Sequence, residues 1–285
     1  MKCRKIIPGF TLVELLVVVS IIAILLAILI PSMRRAKEQA NCVVCKSNLR
    51  NYSLAGAMYL EANNNKFPHP KTCVDGRATF EPDYLNAHQK ECRWHDAGVE
   101  PQGPYWPYLK AKGVHVCPTF ANITKNKRSL HEDYLNSIGA NVNFCRTLSM
   151  QPRLSYSMNG YLGSGIPNDP IENELNNKEQ MPKVTNVKRP YATLFLTEEN
   201  IWTITRLKDG IQVSSHAWND MYFIAQKYGN GDSIATFHKA SDSKLNKGIS
   251  NVLFVDGHID ERKAFDNIDL ANRSSGKSYN LIIGK

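Results

Sequence analysis

Residues 10–30 read FTLVELLVVVSIIAILLAILI, an apolar run interrupted by a single ionisable residue, Glu14. A helix of this length can cross the ~30 Å hydrocarbon core of a bilayer, which takes about 20 residues. A secretory signal peptide has a shorter apolar core and a small-residue cleavage site after it, whereas Pro31 and a basic cluster at 34–37 follow here. We therefore predict that the segment is retained as a membrane-spanning helix.

Glu14 is the informative residue of this run, because a carboxylate in a spanning helix costs about 2.5–3.5 kcal/mol on insertion scales and needs a partner. The run offers no Lys or Arg to pair with it. Cleavage between Gly9 and Phe10 would create a positive α-amino group about one helical turn from Glu14. That amine could neutralise its own Glu14 or the Glu14 of a neighbouring subunit. A Glu14 that is simply hydrated near the membrane interface is the alternative.

Lys5, Gly9, Phe10 and Glu14, followed by the long apolar run, resemble the prepilin N-terminal motif of type IV pilins and type II secretion pseudopilins. The resemblance implies that a membrane aspartyl peptidase, the prepilin peptidase, cleaves after Gly9 and N-methylates Phe10. It also implies that Glu14 pairs with a neighbour's N-terminus during assembly. The implied partners are this peptidase, the inner membrane, and other copies or paralogous pilin subunits in a filament.

Composition and charge restrict the function classes. The chain has 285 residues, of which 42% are apolar and 21% charged, which is ordinary for a globular protein. Its formal charge of +9 falls by 3 to +6 when Lys2, Arg4 and Lys5 leave with the leader. Such an excess, without a clustered basic face, does not indicate nucleic acid binding. The basic leader predicts a cytoplasmic N-terminus and an external body: a single-pass inner-membrane protein that enters a periplasmic or cell-surface filament.

Cys3 would be lost with the leader. The six other cysteines are Cys42, Cys45, Cys73, Cys92, Cys117 and Cys145. An even number in an exported domain is compatible with disulfides, in any of fifteen complete pairings. Cys42-x-x-Cys45 and Cys92-x-x-His95 have the spacing of a redox or zinc half-site, but no second close CxxC completes a zinc site. The sequence therefore favours disulfides or free thiols over a metal.

We predict an α+β fold, in which one long N-terminal helix packs its second half on a C-terminal antiparallel sheet with long loops. The expected segments are a leader at 1–9, a membrane and assembly helix at 10–30, a head-packing half at 31–62, a loop-rich region at 63–190 and a sheet region at 191–285. Helix-like spacings of three and four continue past Pro31, where a kink is expected. The residues at these spacings are Ala36, Ala40, Val43, Val44, Ser47, Leu54, Ala57 and Met58.

Strand signals occur at 192–196, 201–205, 234–237 and 251–261, with an edge candidate at 279–283. Asp256-Gly257 between two β-rich runs predicts a two-residue type I′ hairpin. An asparagine-rich turn at 63–65 should end the helix.

Residues 45–68, CKSNLRNYSLAGAMYLEANNNKFP, resemble the prepilin-like proteins of planctomycete- and lentisphaera-type bacteria. That group carries an H-x9-DG motif, which His238, Asp256 and Gly257 resemble, although seventeen residues separate the histidine from the aspartate here.

His238, Asp256 and Glu198 or Glu199 are weak candidates for a small metal or processing-related site. Calcium is a possible ion, because some related pseudopilins carry it in their C-terminal region, yet no EF-hand spacing occurs. The simpler interpretation is that Asp256 and Gly257 form the turn and His238 packs or caps a neighbouring strand.

No GxSxG, Gly-rich phosphate loop or HExxH pattern occurs, so we predict that the chain is not an enzyme and needs no cofactor. The leading hypothesis is a structural subunit of a type IV pilus-like or type II secretion pseudopilus-like filament. The alternative is a membrane-anchored adhesin or polysaccharide-binding head that uses the pilin export route. Its candidate glycan-binding residues are Trp94, Trp106, Trp202 and Trp218, although tryptophans more often serve in packing.

Overall fold

A computed structural model describes residues 10–70, 73, 103–137, 142–147, 149–163, 181–200, 204–208, 211–215, 222–223 and 234–263. The leader with Gly9 and the edge candidate at 279–283 lie outside these ranges. The chain divides after Ala40 into two compact units. The first holds the apolar part of the long helix, and the second holds the head.

Helix α1 (Leu12–Ala62) is 51 residues long and continues through Pro31. It is long and apolar enough to cross a membrane, and the large apolar side chains of its first part are exposed. The helix ends at the predicted asparagine turn, where Asn64 and Asn65 adopt positive φ angles of 54° and 59°. Asparagine tolerates this left-handed conformation better than most residues. Asn65 N–H then donates to the Leu60 carbonyl at 2.8 Å and closes the helix.

The head-facing surface of α1 is not the apolar stripe quoted from the sequence. Of that stripe, Val43, Val44, Leu54 and Met58 are exposed. The buried residues, which lie at similar spacings of three and four, are Cys42, Cys45, Asn48, Leu49, Tyr52, Ala55 and Gly56. The buried face therefore contains small and polar residues, which hydrophobic periodicity alone does not select.

The main sheet has five strands in the order β5-β1-β2-β6-β7. These strands are β1 (Tyr156–Asn159), β2 (Leu194–Glu198), β5 (Tyr222–Phe223), β6 (Ile249–Phe254) and β7 (Ile259–Lys263). The pairs β1–β2, β2–β6 and β6–β7 are antiparallel, and the two-residue β5 runs parallel to β1. A separate hairpin joins β3 (Ile204–Lys208) and β4 (Ile211–Ser215). The α+β fold and its antiparallel sheet are confirmed.

The helix and the sheet meet closely at Gly56. A β-carbon at this position would lie 2.8 Å from the Phe195 ring of β2. Phe195 itself is buried and packs near the rings of Phe67 and Tyr105. Glycine thus permits the close approach of α1 to the central strand of the sheet.

The predicted hairpin exists between β6 and β7, but its turn type was predicted wrongly. Only Gly257 has a positive φ, of 90°, whereas a type I′ turn needs a positive φ at both central residues. Gly257 N–H donates to the Phe254 carbonyl, and Phe254 N–H donates to the His258 carbonyl, each at 2.9 Å. This is a three-residue loop closed by a left-handed glycine, the next most common hairpin type.

The region between the helix and the sheet contributes short helices to the head. They are α2 (Pro118–Asn126), α3 (Arg128–Ser137) and α4 (Val142–Thr147). A buried hydrogen-bond chain joins this region to α1: the Tyr52 hydroxyl lies 2.6 Å from His115 Nδ1, and His115 Nε2 lies 3.0 Å from the Leu109 carbonyl. Burial lowers the pKa of His115, despite the opposing bond to Leu109. The ring is therefore neutral, accepting from Tyr52 and donating to Leu109.

Candidate functional site

The start of α1 carries a reciprocal cap. Thr11 Oγ1 accepts from the Glu14 backbone N–H at 3.2 Å, while Glu14 Oε2 accepts from the Thr11 N–H at 2.9 Å and from its hydroxyl at 2.7 Å. This is a capping box, in which a Thr and a Glu three residues later satisfy each other's backbone donors. The T-x-x-E pattern was readable in the sequence but was not used there.

The capping box gives the Glu14 carboxylate a partner within its own chain. Only one of its oxygens makes these bonds, and the side chain lies at the exposed N-terminal end of α1. Phe10 is 70% exposed, and Gly9 lies outside the described residues. The carboxylate therefore lies at the N-terminus of the helix. In the sequence it is four residues, about one helical turn, after Phe10, where the mature chain is predicted to begin.

A second group of reactive side chains lies deep in the head. Cys45, Cys117, Glu198 and His238 are all buried, and their ligand-type atoms lie within 4.8 Å of one another. His238 Nε2 lies 2.8 Å from Glu198 Oε2 and 3.4 Å from Cys117 Sγ. Glu198 Oε1 has no hydrogen-bond partner among the described residues.

Four separate elements bring this cluster together. Cys45 lies on the buried face of α1, Cys117 directly precedes α2, and Glu198 ends β2. His238 is held by backbone bonds to Ile249 at the start of β6, of 2.8 and 3.2 Å. The segment at 234–237, predicted as a strand, forms an isolated bridge from Ile234 to Glu199, and His238, which follows it, forms another to Ile249.

Polar neighbours contact both cysteines of the cluster. The Tyr156 hydroxyl lies 3.5 Å from Cys45 Sγ and accepts a bond from Asn48 Nδ2 at 3.3 Å. The Cys117 backbone N–H donates to Ser155 Oγ at 2.7 Å. Hydrogen bonds from outside the cluster therefore reach the sulfur of Cys45 and the backbone of Cys117.

The two thiols of the cluster differ in acidity. Burial opposes ionisation of Cys45, but hydrogen bonds from Cys117 and His238 outweigh it and hold the pKa of Cys45 below its ordinary value. Burial, together with the neighbouring Cys45 and Glu198, raises the pKa of Cys117 well above its ordinary value.

The structure separates the weak metal candidates of the sequence. Glu198 and His238 come together, but Asp256 does not join them. Asp256 Oδ1 lies in the exposed hairpin and accepts from His258 Nδ1 at 2.6 Å and from the His258 backbone N–H at 3.1 Å. Glu199 also points elsewhere, accepting from the Ser157 hydroxyl at 2.7 Å. Asp256 thus acts in the turn, as the simpler interpretation of the sequence held.

The remaining cysteines and tryptophans are placed as follows. Cys42, Cys45 and Cys117 are free thiols, and Cys42 Sγ lies 3.6–3.7 Å from the Asn251 side chain. Cys73 is buried and donates to the Pro70 carbonyl at 3.0 Å. Cys92 and the side chain of Cys145 lie outside the described part of the chain. Trp106 is half-buried beside His115, while Trp94, Trp202 and Trp218 are not described.

These features define a class of protein that has one long, largely apolar N-terminal helix, which begins at a Thr–Glu capping box, and a head with an antiparallel sheet. Comparison with known proteins identifies the family. The model of the prokaryotic N-terminal methylation motif matches residues 7–30. The type II secretion system core protein G of Pseudomonas aeruginosa is 32% identical over 107 residues, which are 35% of this chain and 72% of that protein. The chain belongs to the type IV pilin and pseudopilin family.

A second relative agrees with this assignment. The type IV wide pilus major component PilA4 of Thermus thermophilus is 46% identical over 57 residues. These residues are 20% of this chain and 44% of PilA4, so the chain spans less than half of that relative. No solved structure matches the chain.

Proposed function

We propose that this protein is a non-enzymatic filament subunit that is inserted in the inner membrane, cleaved after Gly9 by the prepilin peptidase, and methylated on Phe10. The mature chain then enters a type IV pilus-like or type II secretion pseudopilus-like filament with copies of itself or paralogous subunits. The observation that carries this proposal is the methylation motif joined directly to an exposed apolar helix that starts at a Thr11–Glu14 capping box.

Exposure along α1 supports helix-to-helix packing. The large apolar side chains between Leu12 and Ile30 are all about half exposed or more, as is expected of a surface that lipid and later neighbouring helices would cover. On the head half of the helix, Val43, Val44, Leu54 and Met58 are exposed as well.

Glu14 is the proposed assembly residue. In the capping box, Glu14 uses one carboxylate oxygen for Thr11, which leaves the other for the methylated N-terminal amine of a neighbouring subunit. Burial of that amine and this carboxylate as a pair avoids two unpaired charges in the apolar core of the filament.

The test separates helix capping from charge pairing. Gln serves in a capping box as Glu does, so Glu14→Gln keeps the helix start but removes the charge. We expect wild-type cells to form filaments, Glu14→Gln cells to lose them, and both mature proteins to begin at methylated Phe10 by mass spectrometry. Glu61→Gln, the same change at an exposed position of α1, is the matched control and should assemble normally.

Two outcomes would contradict the proposal. A native protein that still starts at Met1 in cells with an active prepilin peptidase would exclude the processing step. Filaments of wild-type abundance from Glu14→Gln would exclude the pairing role and leave Glu14 with capping alone.

A further inference from the structure

We propose that Cys45, Cys117, Glu198 and His238 form a structural metal site in the head, selective for a divalent cation of the zinc class. The four side chains are buried and their ligand atoms converge within 4.8 Å. The sequence separates them by up to 193 positions, from Cys45 to His238, so only the fold unites them. This inference does not depend on filament assembly.

The donor set selects the kind of ion. Two sulfurs, an imidazole nitrogen and a carboxylate oxygen are ligands of zinc, which binds Cys, His and Asp or Glu tetrahedrally in structural sites. Calcium and magnesium require a shell of oxygen atoms, and soft thiolates disfavour them. The calcium considered from the sequence therefore does not suit this cluster.

Buried charge supports the same inference. Glu198 is fully buried, with Oε2 facing His238 and Oε1 without a hydrogen-bond partner among the described residues. A buried carboxylate beside two cysteine sulfurs is costly unless a positive charge offsets it. A divalent cation among the four ligands would supply that charge and displace the thiol protons to solvent.

The geometry is close to that of a closed site and needs only small shifts: His238 Nε2 and Glu198 Oε2 must move slightly apart, and the more distant ligand atoms must move slightly closer. Ligand distances of about 2.0–2.3 Å to zinc place neighbouring ligand atoms of a tetrahedron about 3.3–3.8 Å apart. The separations of 2.8 and 3.4 Å from His238 Nε2 and the overall limit of 4.8 Å bracket that range. With four protein ligands the site has no open position, which is the signature of a structural site.

The position of the site explains what it would do. It would join α1, the start of α2, the end of β2 and the segment before β6, and so fasten the loop-rich part of the head to the helix and the sheet. The sequence left disulfides and free thiols open for these cysteines, and Cys45 and Cys117 are free thiols. Zinc ligation gives these two thiols the cross-linking role without a bond between them.

The experiment uses the full-length protein in detergent micelles, purified under reducing conditions without chelators. Elemental analysis should find about one zinc per chain, as four ligands around a single ion require. After chelation, the thermal midpoint should fall, and added Zn²⁺ should restore it while Ca²⁺ should not. Co²⁺ added to the metal-free wild type should give the intense visible bands of a tetrahedral ion and a thiolate-to-cobalt charge-transfer band.

The matched variants are Cys45→Ser, Cys117→Ser and Cys42→Ser. All three replace a buried free thiol, but Cys42 contacts Asn251 and lies outside the four. We expect zinc content to fall at least about tenfold in the first two and to remain unchanged in Cys42→Ser and in Glu14→Gln. If the cluster variants do not fold, the Co²⁺ spectrum of the wild type still decides the question.

Several results would overturn the proposal. One is a wild-type protein that contains no zinc and whose Co²⁺ spectrum lacks the charge-transfer band. Another is a Cys45–Cys117 disulfide in the native protein. The proposal also fails if Ca²⁺ restores the thermal midpoint as well as Zn²⁺ does, or if Cys45→Ser and Cys42→Ser contain equal amounts of zinc. If Glu14→Gln loses filaments but retains zinc, the metal site and the assembly role of Glu14 are independent of each other.

Discussion

At the residue scale, single hydrogen bonds in the head link distant parts of the chain. The Tyr52 hydroxyl of α1 donates to His115 Nδ1 at 2.6 Å, in a site where both side chains are almost fully buried. A buried acceptor that loses its donor costs about 1–3 kcal/mol. The hydrogen bond from the Tyr52 hydroxyl therefore connects α1 to the segment before α2.

Tyr52→Phe should lower the free energy of unfolding by about 1–3 kcal/mol, because the ring packing is kept while His115 Nδ1 is left unsatisfied. Chemical denaturation of the full-length protein in micelles measures this change. Tyr59→Phe is the control in the same helix, because Tyr59 is only half-buried, and it should change stability by less than about 0.5 kcal/mol. Equal effects of the two substitutions would contradict the assignment.

The sequence singled out every residue of the buried cluster but not the cluster itself. Cys45 and Cys117 were interpreted as disulfide or free-thiol cysteines, and Glu198 and His238 as weak metal candidates together with Asp256. Local patterns could not pair them, because their approach depends on how α1 and β6 pack around β2. Asp256 lies apart from this group, in the hairpin, where it contacts His258.

At the element scale, the elements with local signals were predictable. The long helix, its asparagine stop and the hairpin around Gly257 all follow from composition and spacing within short windows. The type of turn in the hairpin could not be predicted in this way, because Asp-Gly fits both a type I′ turn and a three-residue loop. The buried face of α1 was also missed, because it includes Asn48 and Gly56, whose burial reflects the sheet that they meet.

Gly56→Ala tests the contact between the helix and the sheet. Helix propensity alone would favour alanine by about 0.5–1 kcal/mol, but the new methyl group would lie 2.8 Å from the buried Phe195 ring. Overpacking typically costs about 1–3 kcal/mol, so we expect a net destabilisation. Denaturant titration measures it, and Gly113→Ala is the control, because a β-carbon at Gly113 meets nothing within 4 Å. A stabilised Gly56→Ala would show that Phe195 can move aside.

At the scale of the whole molecule, the sequence identifies the family more readily than it predicts the arrangement of strands and helices in the head. The methylation motif occupies residues 7–30, and the core protein G relative aligns with 35% of the chain. The head is held together by contacts between elements far apart in sequence, such as Lys46 of α1 with Glu261 of β7 at 2.7 Å. Such contacts leave no periodic pattern, which is why the helix was predictable and the head arrangement was not.

The orientation of the chain in the membrane gives the last prediction. Basic residues flank the apolar run on both sides, with Lys2, Arg4 and Lys5 before it and a cluster at 34–37 after it. Lys and Arg near the ends of a span favour the cytoplasmic side, and the first helix usually follows the stronger bias. The leader must therefore outweigh the second cluster for the head to leave the cytoplasm.

Replacement of Lys2, Arg4 and Lys5 by Gln should reverse this balance and lower export of the head several-fold. A C-terminal alkaline phosphatase fusion measures export, because the enzyme is active only outside the cytoplasm. The matched control replaces Arg34, Arg35 and Lys37 by Gln, which removes the same number of charges from the other end and should leave export equal or higher. If instead the leader variant exports normally and the control does not, charge balance does not set the orientation. The leader would then act only as the recognition sequence for cleavage.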